Sequence, residues 1–230
     1  MIVLENISRE FKKEKVLKNI SISIETSNIT SIIAPNGVGK TTLLCVISNI
    51  IFPTSGNVIF KNNFTQYDIF LILSGDRNLY LKNTVYENIR YFCTLRGLKK
   101  REIDENIAKY EKKMPLYSKI KSKLCEELSF GQKRLVMIFI AFVAEARCIV
   151  MDEPSEGLDQ THVEILENIL MEHKKDKIIL LTSHNYEFLS KVSDKSIFLK
   201  SGEVASEIGQ ANQKEILDIY RKLYREVGNE

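Results

Sequence analysis

An α/β fold with a mostly parallel core sheet is what this 230-residue sequence predicts. Two observations carry the prediction. Short β-branched runs alternate with segments of helical spacing, and one such run, Ile29 to Ile33, ends in a glycine-bearing loop that leads straight into a helical pattern. Strands that alternate with helices pair in parallel, because a parallel neighbour is reached only through a crossover. Apolar residues at 44% and charged residues at 27% are ordinary for a soluble folded protein and exclude disorder and fibrous repeats. Thirty-three Lys+Arg against 30 Asp+Glu leave a net charge of +3, so a nucleic-acid partner is not expected.

The elements follow in order. Val3 to Ile7, then Ile20, Ile22 and Ile24 alternating with serines, read as strands with one buried face. After the loop Ala34 to Thr42, the residues Leu43, Leu44, Val46, Ile47 and Ile50 keep helical spacing. Phe52 to Gly56 reads as a turn and Asn57 to Phe60 as a strand. The apolar run Ile69 to Leu73 leads into the turn Ser74-Gly75-Asp76-Arg77-Asn78, and Thr84-Val85-Tyr86-Glu87 has the capping-box pattern of a helix reaching about Gly97. Residues 98–125 suggest a helical insertion of two or three helices. Ser129 opens a helix whose stretch Leu135 to Ala144 is a buried core segment, too short to span a bilayer. Strands at Cys148 to Met151 and Lys177 to Thr182 flank a helix Thr161 to His173, and Lys214 to Arg225 is an amphipathic helix.

No linker divides the chain, so residues 1–230 are expected to form one domain. The four cysteines are widely spaced with no C-x-x-C pair, which fits a reducing compartment better than a zinc or disulfide framework. The amino-terminal residues lack the charged and apolar regions of a signal peptide, and a cytoplasmic location is expected.

Three clusters carry chemistry. In Asn36-Gly37-Val38-Gly39-Lys40-Thr41-Thr42, a sharp strand-to-helix turn leaves backbone N–H groups free, and the helix dipole adds positive potential. A polyphosphate fits there, with Lys40 reaching the β- and γ-phosphates and the Thr41 hydroxyl able to ligate Mg²⁺. The full phosphate-loop pattern begins with glycine, and Ala34 stands in that place. Asp152 and Glu153 end the buried run Cys148 to Met151, which suits Asp152 to a metal shell and Glu153 to a proton-accepting role; a solvated turn is the plainer reading of such a pair. Finally, Leu128-Ser129-Phe130-Gly131-Gln132 places a hydroxyl and a glycine at a helix N-terminus, where Ser129 can cap the helix or contribute to an anion site.

Leu128 to Gln132 resembles the signature of ATP-binding cassette (ABC) ATPases, with Phe130 where that family usually has glycine. The order of the other segments is similar as well: phosphate loop, signature, Asp152-Glu153-Pro154, the D-loop-like Ser155-Glu156-Gly157-Leu158-Asp159, and His184 like the switch histidine. The resemblance runs from Leu4 to about Gly202. It implies an antiparallel β subdomain and a helical signature subdomain at about 76–145 beside the core sheet. It also implies ATP and Mg²⁺ as cofactors, bound by residues 36–42 and Asp152, with Phe11 stacking on adenine, although Phe11 can equally be read as a core aromatic. Glu153 then matches the catalytic base and His184 a γ-phosphate contact. Ser129, Gly131 and Gln132 would complete the site of a second cassette, in a homodimer or heterodimer, with Asp159 at that interface. His162 and His173 are expected at the surface.

The same resemblance implies an ATP-hydrolysing subunit, peripheral on the cytoplasmic face of the membrane, that powers a separate transmembrane permease docked on the 75–125 region. Arg77 to Ile89 is similar to ATPase subunits of drug, antibiotic or polysaccharide exporters, so export is the expected direction. Two alternatives stand beside it: a non-transport, single-cassette assembly factor, and an ATP-binding regulatory module with little turnover. The second is motivated by Ala34 and by the absence of the family's glutamine, whose place falls near Gly75.

Overall fold

The computed structural model describes residues 1–75 and 78–224. The chain opens with β1 (Ile2–Phe11) and β2 (Glu14–Ile24), an antiparallel pair, and continues through β3 (Ile29–Ile33), α1 (Lys40–Ile47), β4 (Ser55–Phe60) and β5 (Ile69–Ile72). Next come α2 (Val85–Leu95), α3 (Lys100–Tyr110), α4 (Leu116–Ile120) and α5 (Phe130–Val143). The remainder comprises β6 (Cys148–Met151), α6 (Gln160–His173), β7 (Ile178–Thr182), α7 (Tyr186–Val192), β8 (Lys195–Lys200), β9 (Glu203–Ile208) and α8 (Gln213–Tyr224).

Two sheets result. A three-stranded antiparallel sheet has the order β2-β1-β4, and a six-stranded sheet has the order β5-β6-β7-β3-β8-β9 with only the β8–β9 pair antiparallel. The parallel strands are buried on both faces, so they read as continuous apolar runs. Their side chains nevertheless sort by alternation: Ile149, Met151, Ile179 and Leu181 pack on the helical side, while Cys148, Val150, Ile178 and Leu180 pack toward α1 and the antiparallel sheet. Each such Ile or Leu contributes about 1.5–3 kcal/mol of apolar transfer, before conformational entropy is set against it.

Helix α5 is buried nearly all round and lies against α2, α3 and the sheet, as its unbroken apolar stretch requires. Thr84 caps α2 through the expected reciprocal pair, its Oγ1 accepting from Glu87 N and Glu87 Oε2 accepting from Thr84 N. The insertion is α3 and α4. Several boundaries differ from expectation: α1 ends at Ile47, leaving Ile50 exposed, and Ser55 and Gly56 belong to β4 rather than to a turn. The elements α7, β8 and β9 escaped the sequence reading. The seven residues of α7 are too few for periodicity to register, and β9 is a half-exposed edge strand. His173 corrects the surface expectation, since its ring packs between Tyr110 and Phe142; His162 is half-buried against Asp159. Asp76, Arg77 and Arg225 lie outside the described residues.

Candidate functional site

The C-terminal ends of β5, β6, β7 and β3 stand side by side, the place where open α/β sheets receive ligands. A cavity of about 720 Å³ opens there, with Phe11, Lys40, Thr41, Asp152, Glu153 and His184 on its wall. Gly39 is the N-cap residue of α1 and supplies no side-chain cap, so the first-turn N–H groups are left free for an anion. Asn36, Gly37, Gly39 and Thr42 also line the cavity. The Val38 side chain packs on the core, which leaves its backbone to face a ligand. Ala34 is buried at ordinary negative φ, which explains why alanine serves where the motif has glycine.

Lys40 folds into the loop, its Nζ donating to the Ala34 carbonyl at 2.8 Å and to the Pro35 carbonyl at 3.3 Å. Burial lowers its pKa, and the Glu153 and Asp152 charges oppose that shift. His184 Nε2 stands 3.1 Å from Lys40 Nζ and 2.9 Å from Asn36 Oδ1; one ring nitrogen can donate to the amide or accept from the ammonium, not both. Burial, then the Lys40 charge, lowers the His184 pKa and keeps the ring neutral near pH 7.

Asp152 is the hub of the floor. Its Oδ2 accepts from Thr41 Oγ1 at 2.8 Å, and its Oδ1 accepts from Thr182 Oγ1 at 2.7 Å. Glu153 follows with φ +51°, a left-handed conformation costly for a glutamate and typical of strained functional positions. Two backbone bonds hold it: its own N–H donates to Thr182 Oγ1 at 3.0 Å, and His184 N donates to its Oε2 at 3.0 Å. The other oxygen, Oε1, is buried, makes no hydrogen bond among the described residues and lies 3.4 Å from His184 Nε2. Desolvation raises the Glu153 pKa, partly offset by the His184 N–H and the Lys40 charge. A largely buried carboxylate with a raised pKa is suited to take a proton from water.

The signature residues do not join this cavity. Ser129 caps α5, its Oγ accepting from Gln132 N at 3.2 Å while Gln132 Oε1 accepts from Ser129 N at 3.2 Å. Both the cap and an exposed hydroxyl are therefore present. Gly131 is buried against the 155–159 loop, where a Cβ would meet the Gly157 carbonyl at 2.7 Å. Phe130 is 37% exposed and closes over Gly157, whose own Cβ would strike the ring at 2.4 Å. Asp159 is exposed and caps α6 through His162 N, at 2.9 Å. Phe11, at the β1 end of the β1–β2 hairpin, is 39% exposed at the cavity rim, which rules out the core-aromatic reading.

Sequence reasoning missed Thr182 and Arg134, among others. Thr182 ends an apolar strand two residues before His184, a position that gave a signal. Arg134 gave little: its side chain is 2% exposed inside α5, and its Nη1 donates to the Leu73 carbonyl at 2.8 Å.

Comparisons with known proteins agree with this geometry. Residues 17–156 match the family model described as ABC transporter. The chain is 29% identical, over 90% of its length and 98% of the other's, to the tungstate uptake system ATP-binding protein TupC of Peptoclostridium acidaminophilum. It is 32% identical to the ABC transporter ATP-binding protein NatA of Bacillus subtilis, over 89% of this chain and 87% of that one. The solved ADP conformation of an ATP-binding cassette of an ABC transporter superposes with a TM-score of 0.81 at 28% identity, covering 97% and 96% of the two chains. With the loop, the strand-end acids and the histidine gathered on one cavity, and a family match over well over half its length, the chain belongs to the ATP-binding cassette family of ABC transporters.

Proposed function

We propose that this chain binds and hydrolyses ATP to power transport through a separate membrane subunit, residues 1–230 acting as one cassette. The observation that carries the reading is the meeting of residues 36–42, Asp152, Glu153 and His184 on one cavity. Lys40 and the loop N–H groups take the phosphates, Phe11 offers a π face to the adenine, and the neutral His184 donates toward the terminal phosphate. Glu153 Oε1 accepts the proton of the attacking water.

The donor set fits Mg²⁺: one carboxylate and a hydroxyl, all hard oxygen, suit an ion that keeps water and phosphate as its other ligands. Thr41 and Asp152 would hold it. Held there, the ion would supply neutralisation of phosphate charge.

Exposed Ser129 and Asp159 lie off the chain's own cavity, which supports a second cassette as partner, each chain completing the other's site. Between the sheet and the helical region runs a groove of about 1090 Å³ with Ile50, Tyr67 and Leu95 exposed at 66%, 80% and 67%. It supports docking of an apolar cytoplasmic segment of the membrane subunit, and hence a peripheral position on the membrane's cytoplasmic face. No helix among the described residues is long and apolar enough to cross a membrane. The exporter-like sequence 77–89 supports export, whereas the tungstate relative is an uptake system, so vesicle orientation in a transport assay decides direction.

The test is steady-state ATPase activity against protein concentration, with Glu153→Gln as control. Activity that rises faster than linearly and is lost in Glu153→Gln is the expected result. ATP binding without turnover, alone or with the membrane partner, would instead identify the regulatory module, the reading favoured by the lack of glutamine at 75.

A further inference from the structure

The metal end of the cavity holds a side chain that none of these roles uses. Ser74 Oγ donates to Asp152 Oδ2 at 3.2 Å, the same oxygen that accepts from Thr41. Ser74 and Asp152 hang from adjacent strand ends: Ile72 of β5 pairs with Met151 of β6, and Asp152 N donates to the Ile72 carbonyl at 2.8 Å. The serine's backbone is fixed as well. The Leu73 carbonyl accepts from Arg134 Nη1 at 2.8 Å and from Asn78 Nδ2 at 3.0 Å, and Asn78 Nδ2 also reaches the Gly75 carbonyl at 3.3 Å. Arg134 Nη1 lies 3.5 Å from the Asp152 carbonyl, so one buried guanidinium from α5 spans both strand ends. Gly75 cannot replace the serine here, because it has no side chain and its φ of +93° is strained for any other residue.

We propose that Ser74 is a positioning residue of the Mg²⁺ site. Its hydroxyl orients the Asp152 carboxylate, and because a hydroxyl donates once and keeps two lone pairs, it still offers an acceptor to water in the metal's shell. Hydrogen-bond partners of metal ligands typically control metal affinity by tenfold or more.

This inference rests on the ATP-binding reading above and is tested without turnover. The readout is the ratio of the ATP dissociation constant in excess EDTA to that in excess Mg²⁺, measured calorimetrically on the full chain carrying Glu153→Gln. Adding Ser74→Ala is expected to lower the ratio about tenfold while leaving the EDTA value unchanged, and Ser74→Thr is expected to restore it. An unchanged ratio in Ser74→Ala overturns the proposal, as does a loss of affinity equal in EDTA and Mg²⁺, which marks a merely structural serine. Failure of the parent to bind ATP in either condition overturns the ATP-binding reading as well, so the two failures are distinguishable.

Discussion

The two halves of the candidate site are built to different degrees of completion. Around Lys40, Asp152, Glu153 and His184, the side chains bond to one another, to the loop and to neighbouring backbone, and the walls come from strand ends locked in one sheet. Around Ser129, Phe130 and Asp159, the side chains satisfy helix caps or lie over a neighbouring loop, and none of them lines the chain's own cavity. The first half is finished by folding alone. The second is finished only as a local structure, an exposed hydroxyl at the dipole end of a long helix. Strain follows the same division: the left-handed Glu153, held by the backbone on both sides, sits in the finished half.

The comparison is broken most strongly at Glu153. Glu153→Gln is expected to lower kcat by at least about 100-fold with ATP affinity retained. The same change is expected to stabilise the fold at neutral pH. Burial raises the folded-state pKa above the ordinary 4.5, so folding prefers the protonated acid. The penalty for its charge is absent below the unfolded-state pKa, grows as pH rises through the folded-state value and is complete above it. Calorimetric Tm of the two proteins should therefore coincide near pH 4 and diverge toward pH 8 with Glu153→Gln the higher; the opposite order would show that the buried charge is not a burden on the fold.

The unfinished half is probed next by Ser129→Asn, which keeps a good N-cap while replacing the exposed hydroxyl. Tm and the ATP affinity of the monomer should hold within twofold, while concentration-dependent turnover falls about tenfold or more. Equal turnover would mean that Ser129 serves α5 alone. Gly157→Ala tests the seam between the signature helix and the 155–159 loop. Its Cβ would meet the Phe130 ring at 2.4 Å and its φ is +72°, so a loss of about 1–3 kcal/mol in denaturant unfolding is expected. A double-mutant cycle with Phe130→Ala should recover the steric part and leave the backbone part. The smallest effect belongs to the rim: Phe11→Ala should weaken ATP binding by about tenfold or less and Phe11→Tyr should not, since stacking contributes about 0.5–1.5 kcal/mol.

Local chemistry was the legible part of this molecule. The turn from β3 into α1, the acids closing β6 and the caps at Thr84 and Ser129 are each encoded within a few neighbouring residues, and each stands where its pattern placed it. The errors fall where the pattern is short or double-valued. Seven residues did not announce α7, and His173 was drawn inward by two aromatic rings. Arg134 went unread, because a cation ahead of an apolar run gives no sign of burial, whereas here it is buried and holds two carbonyls.

By itself, then, the sequence determined the α/β alternation, the glycine-bearing strand-to-helix loop, the strand-end carboxylates and the family resemblance, because each depends on spacing along one segment. Only the tertiary structure decided that Ser74, Thr41 and Thr182 converge on one aspartate. That convergence follows from the strand order β5-β6-β7-β3 and its parallel register, which brings the C-terminal ends of distant segments to one edge. Strand order is fixed by packing on both faces of the sheet, a collective balance of buried area and crossover geometry that no single segment records.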